Sequence, residues 1–475
     1  MKNRFCAALP WLCGFAFMTS TFAQDSTGPK IEVIANAAIE EGQFVKCDYT
    51  HLPNGGGQQG YIREVMPYSP WLNDEYAKVG VRATLNSHLS AIICPEIKLW
   101  NDTWDWTTMG ENGSASNPFI QHMTISLADA EGIYTCGSRD AFAFTLAAGV
   151  FPFKYDLESK NLGEYLFRTG EHPAYIETSF DDAYATLTGL RMNAQMFNNL
   201  SLDVLLTQET QVMPINDWSL SVLAGYKVPN LLDVGAGIMF DRLIPVQPSQ
   251  AEAPAAGNTY YTSNGTLDTL SWGGTKVMAR ASFDPKWFLP SDIAKLFGKE
   301  DGVLYAEASI LGLNSITAYA KNASGNLVID SNMNFYSDIK QRIPRMVGFN
   351  IPTFKMLDYL SVELECYGWP YSPSLYNYQN LVYTLPQPII PTVTTDTGVA
   401  PNTGTVKQTL LHTTANNWKW SFNARKTIWG SFSIIAQVAR DHTRHDAYYA
   451  QYADPEEVFL QNDEWGWWVK LQYSL

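Results

Sequence analysis

Residues 218–241 read WSLSVLAGYKVPNLLDVGAGIMFD. Trp218, Leu220, Val222, Ala224, Tyr226 and Val228 alternate with Ser219, Ser221, Leu223, Gly225 and Lys227. After Pro229-Asn230-Leu231 the alternation resumes, with Leu232, Val234, Ala236, Ile238 and Phe240 set against Asp233, Gly235, Gly237, Met239 and Asp241. Successive side chains of a strand leave on opposite faces, so a period of two separates an apolar face from one of charges and small groups. The stretch reads as a hairpin with one apolar wall and one polar wall. A soluble sandwich also alternates, so the connections must decide between the two architectures.

Working outward from this hairpin gives sixteen segments: 31–49, 76–86, 89–100, 119–128, 141–152, 184–197, 201–213, 218–227, 232–243, 274–284, 302–313, 342–353, 358–369, 416–427, 431–442 and 464–475. Short connections at 87–88, 198–200, 228–231, 354–357 and 428–430 take turns with long ones at 50–75, 153–183, 244–273, 314–341, 370–415 and 443–463. The exceptions are a tight turn at 214–217 on the long side and two medium turns on the short side. One of these, 286–301, carries Pro290-Ser291-Asp292 ahead of Ile293, Ala294, Leu296 and Phe297, which predicts a short capped helix under the barrel with no chemistry of its own. Long loops at one end, short turns at the other and an even strand count are the layout of a transmembrane barrel, whose closure leaves no backbone group unpaired in lipid. The fold class is therefore all-β, a transmembrane antiparallel β-barrel of about 16 strands. Aromatic residues at strand ends (Tyr226, Phe240, Phe283, Trp369, Trp418 and Trp429) suit the two lipid–water boundaries.

The last strand is the most specific. Trp465, Trp467, Val469, Leu471, Tyr473 and Leu475 share one face; Glu464, Gly466, Trp468, Lys470, Gln472 and Ser474 share the other. Gly466, Val469, Leu471, Tyr473 and Leu475 resemble the carboxy-terminal signal read by the barrel-assembly machinery, with Leu475 where an aromatic residue is usual. Lys78 to Leu99, Phe151 to Ile176 (FPFKYDLESKNLGEYLFRTGEHPAYI) and Leu304-Tyr305-Ala306-Glu307-Ala308 resemble outer-membrane paralogues of Fibrobacter-type bacteria. That resemblance implies a porin-like barrel in a Gram-negative outer membrane and names no solute.

The amino terminus agrees with export. Lys2 and Arg4, an apolar stretch from Phe5 to Met18, and Thr21-Phe22-Ala23 read as a signal peptide over 1–23, cleaved near Ala23. Cys13 follows Pro10-Trp11-Leu12, the wrong context for lipidation. The expected mature domain is 24–475. Without Lys2 and Arg4 the 32 basic residues fall to 30 against 47 acidic, a net charge of −17, which disfavours nucleic acid. No later stretch approaches the ~20 apolar residues of a spanning helix. Cys47, Cys94, Cys136 and Cys366 show no metal spacing and allow one bridge at most by expectation. No metal or cofactor is expected.

Parity places Lys78, Arg82, Glu96, Lys98, Arg191, Asp203, Glu209, Lys227, Asp233, Asp241, Lys276, Arg280, Asp284, Glu307, Glu363, Glu365, Lys419 and Arg425 on inward faces. Interior charge of both signs must be wet or internally paired, and a barrel this wide leaves room for water. Both a water-filled and a plugged lumen remain open. The connection 153–183 is the candidate constriction by its resemblance in position to general porins, where the loop after the fifth strand folds into the lumen. Its Lys154, Asp156, Glu158, Glu164, Arg168 and Glu171, facing Arg191, Arg280 and Arg425, would filter solutes by charge.

Two rivals were weighed against a channel. An enzyme would need a site, and the only histidine cluster, Asp441-His442-Thr443-Arg444-His445-Asp446, comes with no activated-serine or HExxH motif. No enzymatic role is expected. A surface-binding or adhesive barrel with a closed lumen could hold glycans on aromatic loops at 366–380 and 443–463, beside a Pro/Thr-rich tip at 386–405. The expectation adopted is a porin-like channel for passive diffusion of small polar or charged solutes. Its partners would be outer-membrane lipid, the assembly machinery and those solutes; a homo-oligomer is left open.

Overall fold

The computed structural model describes residues 29–46, 48–50, 63–65, 71–102, 120–138, 140–168, 185–210, 216–246, 259–269, 273–313, 317–330, 339–366, 418–441, 444–445, 456–457 and 464–475. Sixteen strands form one closed antiparallel barrel: β1 Lys30–Lys46, β2 Trp71–Thr84, β3 Leu89–Asp102, β4 Ile120–Ser138, β5 Phe142–Phe153, β6 Ala185–Met196, β7 Leu200–Gln208, β8 Trp218–Val228, β9 Leu232–Ile244, β10 Gly274–Phe283, β11 Leu304–Ile310, β12 Arg345–Asn350, β13 Tyr359–Cys366, β14 Trp418–Ile428, β15 Phe432–Arg440 and β16 Trp465–Ser474. Each strand pairs with its sequence neighbours. The seam joins β1 to β16, from Asn36 opposite Ser474 to Lys46 opposite Trp465. Leu475 N–H donates to Ala35 O at 2.8 Å, so the chain's last residue still belongs to the seam.

The sixteen predicted segments and these strands correspond one to one. The largest boundary error is in β4, which runs to Ser138 rather than ending near 128. Cys94 pairs with Asp129 and Pro95 with Leu127, so Ala128 is an extra residue in a bulge. A bulge flips the parity of everything beyond it, and broken alternation imitates a strand end.

The two faces are sorted as the alternation requires. Ile31, Val81, Ile93, Ile125, Leu190, Val347, Leu364 and Phe422 are exposed on the outside. Lys276, Glu307, Glu363, Glu365, Lys419 and Lys470 are buried within. This is the inverse of a water-soluble protein, and an apolar belt of this extent suits hydrocarbon rather than water. No helix among the described residues is long and apolar enough to cross a membrane.

Both termini of the barrel lie at its short-turn end. At the other end, the connections after β9 and β11 each raise a hairpin, and Tyr261 pairs with Tyr319 to join them. The resulting four-stranded sheet has the order Leu267–Thr269, Thr259–Tyr261, Tyr319–Lys321, Leu327–Ile329. The exceptional connection at the short-turn end is 284–303. It holds a 3-10 turn over Pro285–Phe288, whose N-cap Asp284 accepts from Lys286 N–H, and a helical turn over Ser291–Ala294. The predicted short helix is present but lacks a side-chain cap: Pro290 holds its N-cap position with no side-chain bond, and the capped element is the earlier turn. Cys94, Cys136 and Cys366 are free thiols, while Cys47 lies outside the described residues.

Candidate functional site: a loop across the lumen

After Phe153 the chain leaves the wall and turns into the barrel. From 154 to 167 it is almost wholly enclosed, with Leu162, Tyr165 and Leu166 fully buried. Lys154 Nζ donates to Ser159 O at 2.5 Å. Glu158 N–H donates to Asp156 Oδ1 at 3.1 Å, and Ser159 Oγ to Asp156 O at 3.1 Å. Glu164 closes the fold, accepting Tyr155 N–H at 3.2 Å on one oxygen and Asp156 N–H on the other. The reversal passes through Gly163 and Glu164, with φ of +87° and +61°. Left-handed residues next to right-handed ones turn successive N–H groups to one side, making an anion-binding concavity.

That concavity faces three carboxylates of the far wall. Glu363 accepts N–H from Lys160 at 2.5 Å, Asn161 at 2.9 Å and Leu162 at 2.8 Å. Glu365 accepts Gly163 N–H at 3.1 Å and the Tyr165 hydroxyl at 2.9 Å. Glu307 accepts Glu164 N–H at 2.9 Å and Tyr165 N–H at 2.8 Å. All six consecutive peptide N–H groups from 160 to 165 are thus held by β11 and β13. In a closed ring of sixteen, β13 is opposite β5. The loop therefore crosses the lumen rather than lying along its own wall.

Side chains extend the anchorage. Asn161 Nδ2 donates to Asp441 Oδ2 at 2.7 Å and to Ser421 Oγ at 3.1 Å. Lys160 Nζ reaches Glu300 of the short-turn connection at 3.2 Å, so the loop descends to the barrel floor. Tyr155 donates its hydroxyl to Ala224 O at 2.9 Å. Beneath, Leu162, Leu166 and Phe167 join an apolar cluster with Leu187, Leu205, Leu223, Met239 and Met278 from the inward wall. Room for it comes from β9: a Cβ at Gly235 would lie 2.4 Å from the Tyr155 hydroxyl, and one at Gly237 would lie 2.9 Å from Leu166.

The predicted charges have mixed placements. Asp156 and Glu164 are buried in the loop. Burial raises the Glu164 carboxyl to about 7, against the pull of Lys154, and Asp156 raises it further. Burial raises Asp156 too, opposed by Arg280. Glu158 is raised by burial and then by Glu300. Arg280 does meet the loop, stacking 4.8 Å from the Tyr155 ring centroid while pairing with Asp233 at 2.9 Å. Arg191 does not; it pairs with Asp203 at 2.9 Å and lies over Phe153. Arg425 donates to Ser433 Oγ at 3.2 Å, away from the loop. Arg168 ends the helical turn Tyr165–Arg168, with its side chain outside the described residues, as is Glu171.

One buried network has a centre that parity missed, Arg242, although its Glu209 was read as inward. Arg242 is 4 % exposed, with Glu209 at 3.3 Å and Asp217 at 3.5 Å. By alternation from Phe240 it would point outward. The register slips between Trp218 and Leu220, and Arg242 has φ +48°, so a bulge turns it inward. Lys276 and Asp241 pair beside it at 3.2 Å.

Asp441, part of the only histidine cluster, serves as an anchor for Asn161 and Gln437; His442 and Asp446 lie outside the described residues. No group of His, Cys, Asp and Glu that could hold a metal occurs among the described residues. Of the aromatic loops at 366–380 and 443–463, residues 367–380, 446–455 and 458–463 lie outside them, as does the Pro/Thr-rich tip at 386–405. On the last strand Gly466 is buried inward, and Leu471 stands on the outer face.

No family model matches the chain, and no curated protein matches it. Among solved structures it is similar to Salmonella typhi OmpF in a complex with daunomycin, at 11% identity and TM-score 0.43, over 94% of this chain and 98% of that one. It is also similar to Pseudomonas putida OprB at high pH, at 10% identity and TM-score 0.44, over 94% of each chain. A mutant of the Rh. blastica porin aligns over 94% of this chain and all of its own, at 7% identity and TM-score 0.39. Function must then be read from this chain's own geometry.

Proposed function

We propose that the chain is an outer-membrane channel through which small polar or charged solutes diffuse passively, with the loop from 154 to 168 setting its narrowest section. One observation carries the reading: six successive peptide N–H groups lash that loop to carboxylates on the opposite wall. A closed barrel needs no such loop for its backbone pairing, and a wall of apolar residues would fill the interior more simply. Charged walls with a tethered partition divide a wet lumen instead. Carboxylates outnumber cations around the partition, so a preference for cations follows.

On this reading residues 1–23 are a signal peptide removed near Ala23, 24–475 are one membrane domain, and the last strand is the address read by the assembly machinery. Long loops would face outward. Lys154, Glu158 and Arg280 would line the narrow section, with Asp156 and Glu164 buried in the loop that forms it; Arg191 and Arg425 would act elsewhere on the wall. On this reading the chain would sit beside Fibrobacter-type outer-membrane proteins, as the stretches quoted above imply.

The apolar packing beneath the loop favours a second reading, a surface-binding barrel whose lumen is closed. Single-channel conductance of the refolded protein in a planar bilayer separates the two. Steady steps with a reproducible cation preference are expected. A folded, heat-modifiable barrel that stays electrically silent would overturn the channel and favour surface binding.

A further inference from the structure

The connection 284–303 has an unusual surface. Trp287, Phe288, Leu289, Ile293 and Leu296 are all exposed, although they crowd into one short stretch. Polar residues occupy its other side: Asp292 and Lys295 pair at 3.4 Å with both side chains largely in solvent. The stretch does not hang free. Lys286 Nζ donates to Lys299 O at 3.0 Å and to Asp301 O, and Asp301 accepts from Gly298, Thr353 and Phe354. A rigidly held apolar face open to water is a docking surface or a membrane contact.

Its position decides between them. Phe283 is on the outer, lipid-side face of β10, since Lys276, Met278 and Ser282 are the buried inward residues. Phe288 stacks on Phe283 with ring centroids 6.1 Å apart, and Trp287 packs edge-on to Phe288 at 5.0 Å. The apolar belt of the barrel thus continues without a break into the connection. Phe297 packs on Phe354 at 5.2 Å, and Phe354 and Met356 of the next short turn are exposed as well. Lys295, Lys299 and Lys355 are exposed around this patch, on a chain whose net charge is −15.

We propose that residues 286–297 form an in-plane membrane anchor. Trp287, Phe288, Leu289, Ile293 and Leu296 lie in the headgroup layer of the leaflet at the short-turn end, and Lys295 and Lys299 face phospholipid phosphates. The physics is that of an interfacial amphipathic segment, apolar on one side and basic on the other, joined here to a barrel that fixes its depth. It rests on the membrane reading above and adds to it a lipid contact outside the strands.

The test is lipid quenching of tryptophan emission in refolded full-length protein. Wild type minus W287F isolates Trp287, and wild type minus W420F isolates Trp420, which sits on the outer wall beside Phe422. Vesicles contain phosphatidylcholine and phosphatidylglycerol, with bromine either near the headgroup or near the chain ends. Emission of Trp287 is expected to be lost to headgroup-brominated lipid and spared by aqueous acrylamide. Quenching of Trp287 by acrylamide alone, with Trp420 still quenched by brominated lipid, would overturn the anchor and leave the barrel in its membrane. Lipid quenching of neither residue would overturn the membrane reading itself, and the anchor with it.

Discussion

Two segments leave the barrel wall, 154–168 and 284–303, and their compositions are close. Each mixes Phe, Leu and an aromatic hydroxyl or indole with Lys, Asp and Glu. Their fates are opposite. Leu162 and Leu166 are 0 % exposed, whereas Trp287 is 56 % and Leu296 is 59 % exposed. Each is pinned through backbone groups by carboxylates: Glu307, Glu363 and Glu365 for the first, Asp301 for the second. What differs is the surface on offer. Inside, glycines at 235 and 237 and the apolar side chains Leu205, Leu223 and Met239 make a seat. Outside, Phe283 offers the edge of a lipid-facing belt. Where a segment goes is set by its receiving wall, and the two meet where Lys160 pairs with Glu300.

The largest expected effect comes from removing the inner seat. Glu363→Ala orphans the N–H groups of Lys160, Asn161 and Leu162 and leaves the Tyr305 hydroxyl with Ser361 Oγ as its partner. Each buried donor left unpaired costs roughly 1–3 kcal/mol, so the loop leaves its seat rather than stay. Single-channel conductance should rise, and protease should cut within 154–168 while the barrel remains heat-modifiable. Glu363→Gln keeps a carbonyl acceptor and should show a partial effect. Unchanged conductance with an uncut loop would break the comparison at its root. Gly235→Val is the next step down, because its side chain would collide with Tyr155. Overpacking of this kind costs about 1–3 kcal/mol, and it should loosen the inner segment without touching the outer one.

How much of this was legible beforehand follows the same division. Strand number and face assignment came from alternation and loop length, which depend on the chain locally, whereas the loop after the fifth strand was singled out by analogy with general porins. Glu307, Glu363 and Glu365 were read as inward, but their role was not, because their partners are peptide N–H groups some 140 to 200 residues away in sequence and carry no residue signature. The expected apposition of acids on the loop with arginines on the wall holds only at Arg280. Leu223 and Met239 looked like blemishes in a polar face and are instead the floor under the loop. Arg242 was hidden by a bulge, where parity reverses. The outer segment was read as a capped helix of no consequence, since periodicity over so few residues cannot show which side is covered.

On the outer segment the corresponding change is smaller. Asp301→Asn keeps one acceptor oxygen but weakens bonds from Gly298 N–H, Thr353 N–H and hydroxyl, and Phe354 N–H. Asp301 itself is buried, but its donors Gly298 and Thr353 are only partly so and Phe354 is exposed, and the amide still offers one of them an acceptor. A loss of about 1 kcal/mol is expected in denaturant unfolding. Hydrogen exchange should quicken at 284–303 and 351–358 and stay unchanged at 154–168. Faster exchange in the crossing loop would mean that the Lys160–Glu300 contact couples the two segments more tightly than one ion pair suggests.

The finest test is pH, because the two anchors respond with opposite sign. Burial lifts the Glu164 carboxyl to about 7, so the crossing loop is favoured by the protonated form. That contribution is complete below the ordinary carboxylate value near 4.5 and is lost as pH rises through about 7. Asp301 behaves the other way. Burial works to raise it, but the amides of Gly298, Thr353 and Phe354 and the Thr353 hydroxyl outweigh burial and hold it below the ordinary aspartate value of 3.8. Its contribution is present above that value and is lost as pH falls through the lowered one. Exchange protection measured from pH 3 to pH 9, on the order of one decade in proton activity per step, should fall at 154–168 on the alkaline side and at 284–303 on the acid side. Glu164→Gln should shrink the alkaline limb, leaving the share of Asp156 and Glu158, and should spare the acid limb. If both segments loosen together at either extreme, the barrel is opening as one unit and the two anchors are not independent.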